Sequence, residues 1–365
     1  MGLKCGIVGL PNVGKSTLFN CLSNARAQAA NFPFCTIEPN VGVITVPDTR
    51  LNKLADLVKP ERLVPNTIEI VDIAGLVKGA SKGEGLGNKF LANIRETDAI
   101  LHVLRCFGDD NVVHVHGDVN PIRDKEIIDT ELQLKDLESV EKKLQKVERA
   151  AKTGDKDAKV SLDVLLRYKN HLEQGLSART APVSNEEREE AADLFLLTEK
   201  PVLYVCNVDE AGLKVENDHV KRVKAMAAEE GAEVLVICAA IEADIAELES
   251  FEDRQLFLED LGLEQSGVEK LIHAAYQLLK LQTYFTAGEK EVRAWTITRG
   301  TLAPQAAGVI HTDFEKGFIK AEVIHYPDFI ALGSWAACRE AGKIGIEGKG
   351  YEVQDGDIML FRFNV

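Results

Sequence analysis

The sequence GLPNVGKS, from Gly9 to Ser16, fits the pattern G-x-x-x-x-G-K-[ST] at every fixed position. It follows the apolar segment 3–8 (LKCGIV), which predicts a buried strand, and it leads into 15–26, which predicts a helix. In that context glycine lets the backbone wrap closely, so that successive N–H groups point at phosphate oxygens, and the helix start adds its positive end. The stretch therefore predicts a phosphate-binding loop at the start of an α/β domain.

Strand and helix signals alternate beyond this loop. Further continuous apolar runs predict strands at 67–73, 99–106, 201–206 and 233–237. Helical patterns lie at 87–97, 218–230 and 267–280. Apolar runs of this length suit strands buried on both faces, so we expect a mostly parallel, doubly wound sheet.

No strand pattern appears between about Asp124 and Lys200, which indicates an insertion. A 3-4-3-4 apolar spacing predicts one helix along Leu137, Val140, Leu144, Val147 and Ala151. Leu165, Tyr168 and Leu172 continue the spacing in a second helix, and a capping box at 184–187 opens a third that runs through Leu197. We expect an antiparallel helical hairpin, whose Lys- and Glu-rich outer faces suit either solvent or a partner.

The C-terminal part has the character of a small mixed domain. Segments 292–299, 318–324 and 357–363 predict strands, and frequent glycines mark the turns between them. The predicted organisation is a nucleotide-binding domain from 1–123 and 200–280, a helical hairpin from 124–199, and a separate domain from 281–365.

Composition limits the class of protein. The 365 residues carry a formal net charge of −15, so overall charge gives no argument for nucleic-acid binding, although it leaves a local basic face open. The seven cysteines are scattered and form no C-x-x-C pair, which argues against a disulfide framework or a structural zinc site. No apolar run approaches the ~18 residues of a membrane span, and we expect a cytoplasmic monomer with no membrane contact.

Most residues at the phosphate end of the predicted site can be assigned a role. Lys15 is placed to bridge the β- and γ-phosphates, which makes it a candidate catalytic group. Asp72 follows a strand and begins D-x-x-G, whose Gly75 N–H can contact a γ-phosphate. The predicted Mg²⁺ ligands are Ser16, Thr36 and Asp72. The predicted nucleotide contacts at this end are Asn12, Val13, Gly14, Lys15, Ser16, Thr17 and Gly75.

The base end is predicted at Asn207-Val208-Asp209-Glu210, which resembles N-K-x-D but departs from it twice. An aspartate at the last position accepts the two adjacent donors of guanine, N1–H and N2–H₂. Glu210 is one methylene longer, so the main reason to prefer GTP is lost. Asn207 suits the N6/N7 edge of adenine, and the Val208 backbone and the Cys238-Ala239-Ala240 turn lie near the base. The stretch predicts a preference for ATP.

Several motifs together resemble one family. GLPNVGKST, NFPFCTIEPNVG, DIAGLVKGAS, N-x-x-E, FTAGEKEVRAWTI and HTDFEKGFIKAEV are similar to the Obg-like ATPases, the YchF group of translation-factor-related P-loop NTPases. The resemblance covers nearly the whole chain. It implies a G-domain that hydrolyses ATP in preference to GTP, a helical-hairpin insertion, a C-terminal TGS domain with a ubiquitin-like β-grasp fold, and association with ribosomes.

The hydrolytic machinery shows one departure from many GTPases. Leu76 stands where a glutamine often orients the attacking water, so we expect a slow intrinsic rate. Two other groups are candidates. Asn12 resembles the asparagine of potassium-activated relatives, which implies K⁺ as an activating cation. His114 lies in a polar loop after a central strand, where it either positions water or is a solvent-exposed loop histidine.

The leading interpretation is a slow regulatory ATPase acting on the translation machinery, with ATP and ADP as ligands. A true GTPase is its nearest rival. A metabolic P-loop kinase is disfavoured because no Arg-rich lid or second substrate motif is evident, and a scaffold with structural nucleotide stays open. Trp295, Arg293, Lys316 and Lys320 suggest an RNA contact on the C-terminal domain, or ordinary core and solvated residues.

Overall fold

The computed structural model describes residues 3–29, 40–73, 86–109, 114, 117–153, 155–248 and 250–364. The chain forms two compact units. The first comprises Met1–Val43 and Glu69–Leu271, and the second comprises Ile44–Ile68 and Ile272–Val365.

Twelve strands lie in the described residues: β1 (Lys4–Val8), β2 (Val41–Thr45), β3 (Arg62–Val64), β4 (Thr67–Asp72), β5 (Ala99–Arg105), β6 (Val202–Asn207), β7 (Glu233–Ile237), β8 (Leu281–Ala287), β9 (Glu291–Thr298), β10 (Phe318–Ile324), β11 (Gly345–Glu347) and β12 (Ile358–Phe363). The same part of the chain holds fifteen α-helices: α1 (Lys15–Ala29), α2 (Thr49–Val58), α3 (Leu86–Arg95), α4 (Pro121–Lys152), α5 (Lys156–Glu173), α6 (Asn185–Glu190), α7 (Glu210–Lys214), α8 (Asp218–Glu230), α9 (Ala239–Glu247), α10 (Phe251–Asp260), α11 (Gly267–Leu278), α12 (Ala303–Ile310), α13 (Thr312–Lys316), α14 (Tyr326–Leu332) and α15 (Trp335–Glu340).

The sheet of the first unit has the strand order β2-β4-β1-β5-β6-β7. The ladders from β4 through β1, β5 and β6 to β7 are all parallel. Every residue of β5 and β6 is buried, which explains why their sequences are mostly apolar. The polar exceptions, His102, Arg105 and Asn207, are buried as well. Because the strands are parallel, the residues that follow β1, β4, β5 and β6 meet at one edge of the sheet, and this edge carries the site.

The insertion forms the predicted helical hairpin. α4 has 32 residues, with Asn120 as N-cap and Pro121 in the first turn. The predicted stripe packs against α5 in a core that includes Val140, Leu144, Leu165 and Tyr168. An ion pair of 3.0 Å between Lys169 Nζ and Glu141 Oε1 joins the two helices on the surface.

The predicted third helix is wrong in its length. The capping box of Ser184 and Glu187 is present, but α6 ends at Glu190. Two short 3-10 turns follow, at Ala192–Leu194 and Leu197–Glu199. Phe195 lies between them with φ of 48°, a left-handed conformation that a right-handed helix cannot contain.

The second unit has a mixed sheet of order β11-β10-β12-β8-β9-β3. β8 and β12 are parallel neighbours, and each has an antiparallel partner on its other side, β9 and β10 respectively. One face packs on α12 through Tyr284, Ala306 and Phe361, and the other packs on α2, α14 and α15 through Leu54 and Phe329. This is the predicted β-grasp arrangement, and the fold class predicted from sequence is confirmed.

The segment 44–68 lies in the second unit, whereas the sequence placed it in the nucleotide-binding domain. α2 buries Leu51 and Leu54 in the core of the second unit, and β3 pairs in parallel with β9. Sequence analysis missed α2, β3 and β8, although TRLNKLADLV has apolar residues at helical spacing. None of the helices in the described residues is both long and apolar enough to cross a bilayer.

Candidate nucleotide-binding site

The predicted phosphate loop connects β1 to α1 as the sequence indicated. Gly14 has φ of +93°, and a Cβ atom there would lie 2.2 Å from Asn207 Nδ2, so only glycine fits this position. Val13 is buried, whereas Ser16 and Thr17 are exposed in the first turn of α1. The N-terminal N–H groups of α1 lack intrahelical partners, as at every helix start, and can bind an anion.

Lys15 and Asp72 meet at this loop. β1 and β4 are neighbours, and their ladder aligns Ile7 with Asp72, which brings the carboxylate beside the loop. The ammonium group of Lys15 donates a hydrogen bond to Asp72 Oδ1, and both side chains are largely buried. The pair combines a cation suited to phosphate with a carboxylate suited to a hard metal ion.

Asn207 connects the phosphate loop to the base end. It ends β6 and is buried, and its Nδ2 donates to the carbonyl oxygen of Val13 at 2.9 Å. Its Oδ1 accepts the backbone N–H of Ala239 at 2.9 Å. The amide therefore holds the phosphate loop and the start of α9 together.

Glu210 is the first residue of α7 and is exposed. Its carboxylate pairs with Lys214 Nζ at 2.8 Å, one turn along the helix. A cavity of about 300 Å³ opens beside it, lined by Glu210, Leu213, Lys214, Ile241 and the turn 261–263. The cavity has a mixed polar and apolar lining, with one acid and one base beside leucine and isoleucine side chains.

The residues around Glu210 have structural roles. Asp209 caps α7 by accepting the N–H of Gly212 at 2.8 Å. Val208 is buried, and its N–H donates to the Ile237 carbonyl oxygen at 2.9 Å. Burial also raises the pKa of the Cys238 thiol, so this side chain stays neutral beside the Ala239 contact. A lysine at position 208, as in N-K-x-D, would have to leave this packed environment.

The alternative interpretation, that His114 is a solvent-exposed loop histidine, is wrong. It is buried, and its Nε2 lies 2.8 Å from Asp124 Oδ2. Asp124 is in the first turn of α4 and is itself buried. The hairpin helix therefore holds this histidine. Sequence analysis missed Asp124, whose only local signal is its place near the Asn120-Pro121 helix start.

The remaining predicted residues fall into three groups. Thr36, Gly75 and Leu76 lie outside the described residues. Asn12 is exposed in the phosphate loop with φ of 63°. In the second unit, the guanidinium of Arg293 stacks 3.9 Å from the ring centre of Trp295, and the Trp295 indole donates to Thr286 Oγ1. Trp295 thus contributes to packing within its own unit.

Two family models match the chain. The family model MMR_HSR1, described as "50S ribosome-binding GTPase", matches residues 4–208, and YchF-GTPase_C, described as "Protein of unknown function (DUF933)", matches 281–364. Relatives named "Ribosome-binding ATPase YchF" from Haemophilus influenzae and Escherichia coli O157:H7 are 58% identical over 365 residues, covering 100% of both chains. The relative of that name from Bacillus subtilis is 55% identical, with the same coverage.

A solved structure is similar over the same span. It is described as the Schizosaccharomyces pombe YchF GTPase, with 41% identity and a TM-score of 0.89, covering 99% of this chain and 98% of that one. The fold and the site define a P-loop nucleotide-binding protein with a G-domain. Its full-length similarity to relatives at 58% identity shows that the chain belongs to the YchF family.

Proposed function

We propose that the protein is an ATP-hydrolysing switch that acts with the ribosome and binds ATP in preference to GTP. The observation that carries the proposal is the position of Glu210, on the rim of a cavity and linked through β6 and Asn207 to the phosphate loop. The names of the bacterial relatives, which call those proteins ribosome-binding ATPases, support it.

The preference for ATP follows from hydrogen-bond chemistry. A carboxylate at the end of this motif selects guanine only if it reaches N1–H and N2–H₂ together. The longer, exposed side chain of Glu210 is paired with Lys214, which competes for the same oxygens. Adenine offers a single N6 amine as donor on its Watson–Crick edge, and a carboxylate can accept from it without a fork. Hydrogen bonding to Glu210 therefore gives the base site no means of rejecting ATP.

Magnesium is the metal that the donors fit. Asp72, at the end of β4, offers a carboxylate, and Ser16, in the first turn of α1, offers a hydroxyl oxygen. Hard oxygen ligands of this kind suit Mg²⁺. Thr36 is the third proposed ligand. When bound, the metal neutralises charge on the β- and γ-phosphates. Lys15 adds its positive charge at the same end, and Gly75 N–H is proposed to sense the γ-phosphate.

His114 is the group that we propose to orient the attacking water. Its Nε2 is hydrogen-bonded to Asp124, so Nε2 must leave this contact before it can hold a water molecule. That requirement and Leu76 both favour a slow intrinsic rate. K⁺ beside Asn12 is a second proposed contribution, since a monovalent cation there would add positive charge near the transferring phosphate. Equal rates in sodium and potassium chloride would count against the cation.

GTP hydrolysis is the second candidate function. The observation in its favour is that the name of the solved relative from S. pombe calls that protein a GTPase. The remaining features of the proposal are the same for either nucleotide: a cytoplasmic location, a monomeric state and the ribosome as partner.

The proposed function is tested by phosphate release from ATP, with and without ribosomes. Native protein should release phosphate slowly without any added phosphoacceptor, and ribosomes should change the rate. The His114→Ala variant should bind ATP normally and turn over more slowly. Undiminished turnover by this variant would remove His114 from the mechanism, and no phosphate release under either condition would reject an ATPase.

A further inference from the structure

The charges of α4 are segregated along its length. Residues 121–141 carry three basic and seven acidic side chains, a net charge of −4. Residues 142–152 carry five basic and one acidic, a net charge of +4. The whole chain has a net charge of −15, so this distal end is opposite in sign to the protein as a whole. Such an asymmetry indicates a charged partner more specifically than an evenly mixed helix does.

The two segments of α4, residues 121–141 and residues 142–152, have different surroundings. Charged side chains of residues 121–141 form ion pairs within the first unit. Lys125 pairs with Asp129 at 2.9 Å and with Glu230. Asp136 is buried and accepts the N–H groups of Leu197 and Thr198 at 2.7 and 2.8 Å. Part of the acidic excess of residues 121–141 is therefore engaged in ion pairs and hydrogen bonds that hold the helix in place.

The distal segment, residues 142–152, packs on α5 through Leu144 and Val147. Four of its five cations are exposed, and the fifth, Lys143, is half-buried and paired with Asp193. Lys142, Lys146 and Arg149 follow i, i+4, i+7 spacing, which places them on one helix face. We call these three residues the basic stripe. Lys146 and Arg149 form no ion pair within the described part of the chain, and Lys142 has only an exposed pair with Glu138. Exposed pairs are weak, so the stripe is available to a polyanion.

We propose that the basic stripe binds the phosphate backbone of RNA, and this inference rests on the proposed ribosome partnership. A 32-residue helix is roughly 48 Å long, so cations near its far end lie several turns from the nucleotide site. A row of lysine and arginine at the spacing of one helix face matches a polyanionic strand, and such contacts give affinity without sequence specificity. The stripe would add binding strength and leave hydrolysis chemistry unchanged.

The test compares two sets of substitutions that remove the same charge. One variant carries Lys142→Gln, Lys146→Gln and Arg149→Gln. The matched control carries Lys221→Gln, Arg222→Gln and Lys224→Gln on α8, whose side chains are also exposed. Glutamine keeps helix propensity close to that of lysine and arginine, so both variants should fold. Affinity for purified ribosomes and for an RNA duplex of about 20 base pairs is measured against salt concentration.

The stripe variant should bind ribosomes and duplex at least about tenfold more weakly at low salt, with the slope of log affinity against log salt reduced by about one per lost phosphate contact. The control should match native protein, and basal hydrolysis should be the same in all three. Equal affinity and slope for native and stripe variant would overturn the inference. Weaker ribosome binding with unchanged duplex binding and slope would assign the stripe to a protein partner and reject RNA.

The proposed function can fail separately. If native protein does not bind ribosomes, the partnership is wrong, and the duplex measurement alone decides whether the stripe binds RNA. If native protein binds neither, both the partnership and the stripe are rejected.

Discussion

The imidazole of His114 and the carboxylate of Asp124 form a buried pair, with Nε2 and Oδ2 2.8 Å apart. Asp124 belongs to the first turn of the long hairpin helix, and His114 follows the central strand β5. The contact therefore links the hairpin to the edge of the sheet where phosphates are expected. If Nε2 of His114 orients water, the pair opposes that role.

Weakening this pair should accelerate hydrolysis. Asp124→Asn keeps the shape of the side chain but replaces a charge-assisted hydrogen bond by a neutral one, a loss of about 1 kcal/mol. We expect turnover without ribosomes to rise by up to about fivefold, with unchanged affinity for ATP. Steady-state phosphate release measures the effect. The rise must disappear when His114→Ala is added, and a decrease in the single variant would show that Asp124 supports catalysis.

Removing the ammonium group of Lys15 should weaken nucleotide binding. Lys15→Met deletes a charge-assisted hydrogen bond, worth about 1.5–3 kcal/mol, so the Kd for ATP should rise by about tenfold to a hundredfold. Calorimetric titration in the presence of Mg²⁺ gives the value. Lys53→Met on the exposed side of α2 is a control that should bind like native protein. An unchanged Kd for Lys15→Met would place the phosphates elsewhere.

Asn207 should matter equally for both nucleotides. Asn207→Ala leaves the Val13 carbonyl and the Ala239 N–H without their partner, at a cost of about 1–3 kcal/mol for each buried group. We expect a lower thermal midpoint and weaker binding of ATP and GTP by the same factor, because N7 is common to both bases. A loss confined to one nucleotide would show that Asn207 reads the base.

The stability of the first unit should fall in mild acid because of His102. This histidine of β5 is buried beside Lys125 and Arg179, and desolvation lowers its pKa to about 3. No described residue hydrogen-bonds its Nε2. Below about pH 6.5 the unfolded chain binds a proton that the folded protein does not, so the free energy of unfolding falls by about 1.4 kcal/mol per pH unit from this group.

His102→Phe tests this dependence. The variant should lose less stability than native protein on going from about pH 6.5 to pH 5, with a difference near 2 kcal/mol by denaturant unfolding. The comparison uses the change with pH, so a constant packing cost of the new ring does not affect it. Parallel curves for the two proteins would exclude His102 as the titrating group.

Local sequence signals predicted the parts of the site that lie within one strand–loop–helix segment. The phosphate loop, Asp72 after its strand and Asn207 at the end of β6 are each marked by an apolar run and a motif. The contacts between them were not predictable in detail. The Asn207–Val13 hydrogen bond joins residues 194 positions apart, and it depends on strand order. The Asp124–His114 pair has no motif, because a carboxylate in a first helical turn is common.

The boundaries of the two units could not be predicted from local sequence either. The amphipathic pattern of residues 49–58 indicates a helix, but nothing in that pattern tells which core its Leu51 and Leu54 will enter. The position of the segment between β2 and β4 suggested the nucleotide-binding domain, and the structure places it in the second unit. Phe195 ended a predicted helix through a backbone conformation that its side-chain type disfavours, and no residue-type rule anticipates that.

Base selection is the central claim, and one titration tests it most directly. Native protein is titrated with ATP and with GTP under identical Mg²⁺ concentrations, and the two Kd values are compared. The exposed Glu210, paired with Lys214 at the rim of its cavity, predicts tighter binding of ATP. Tighter binding of GTP would contradict this account of Asn207–Glu210 and favour GTP hydrolysis, the second candidate function.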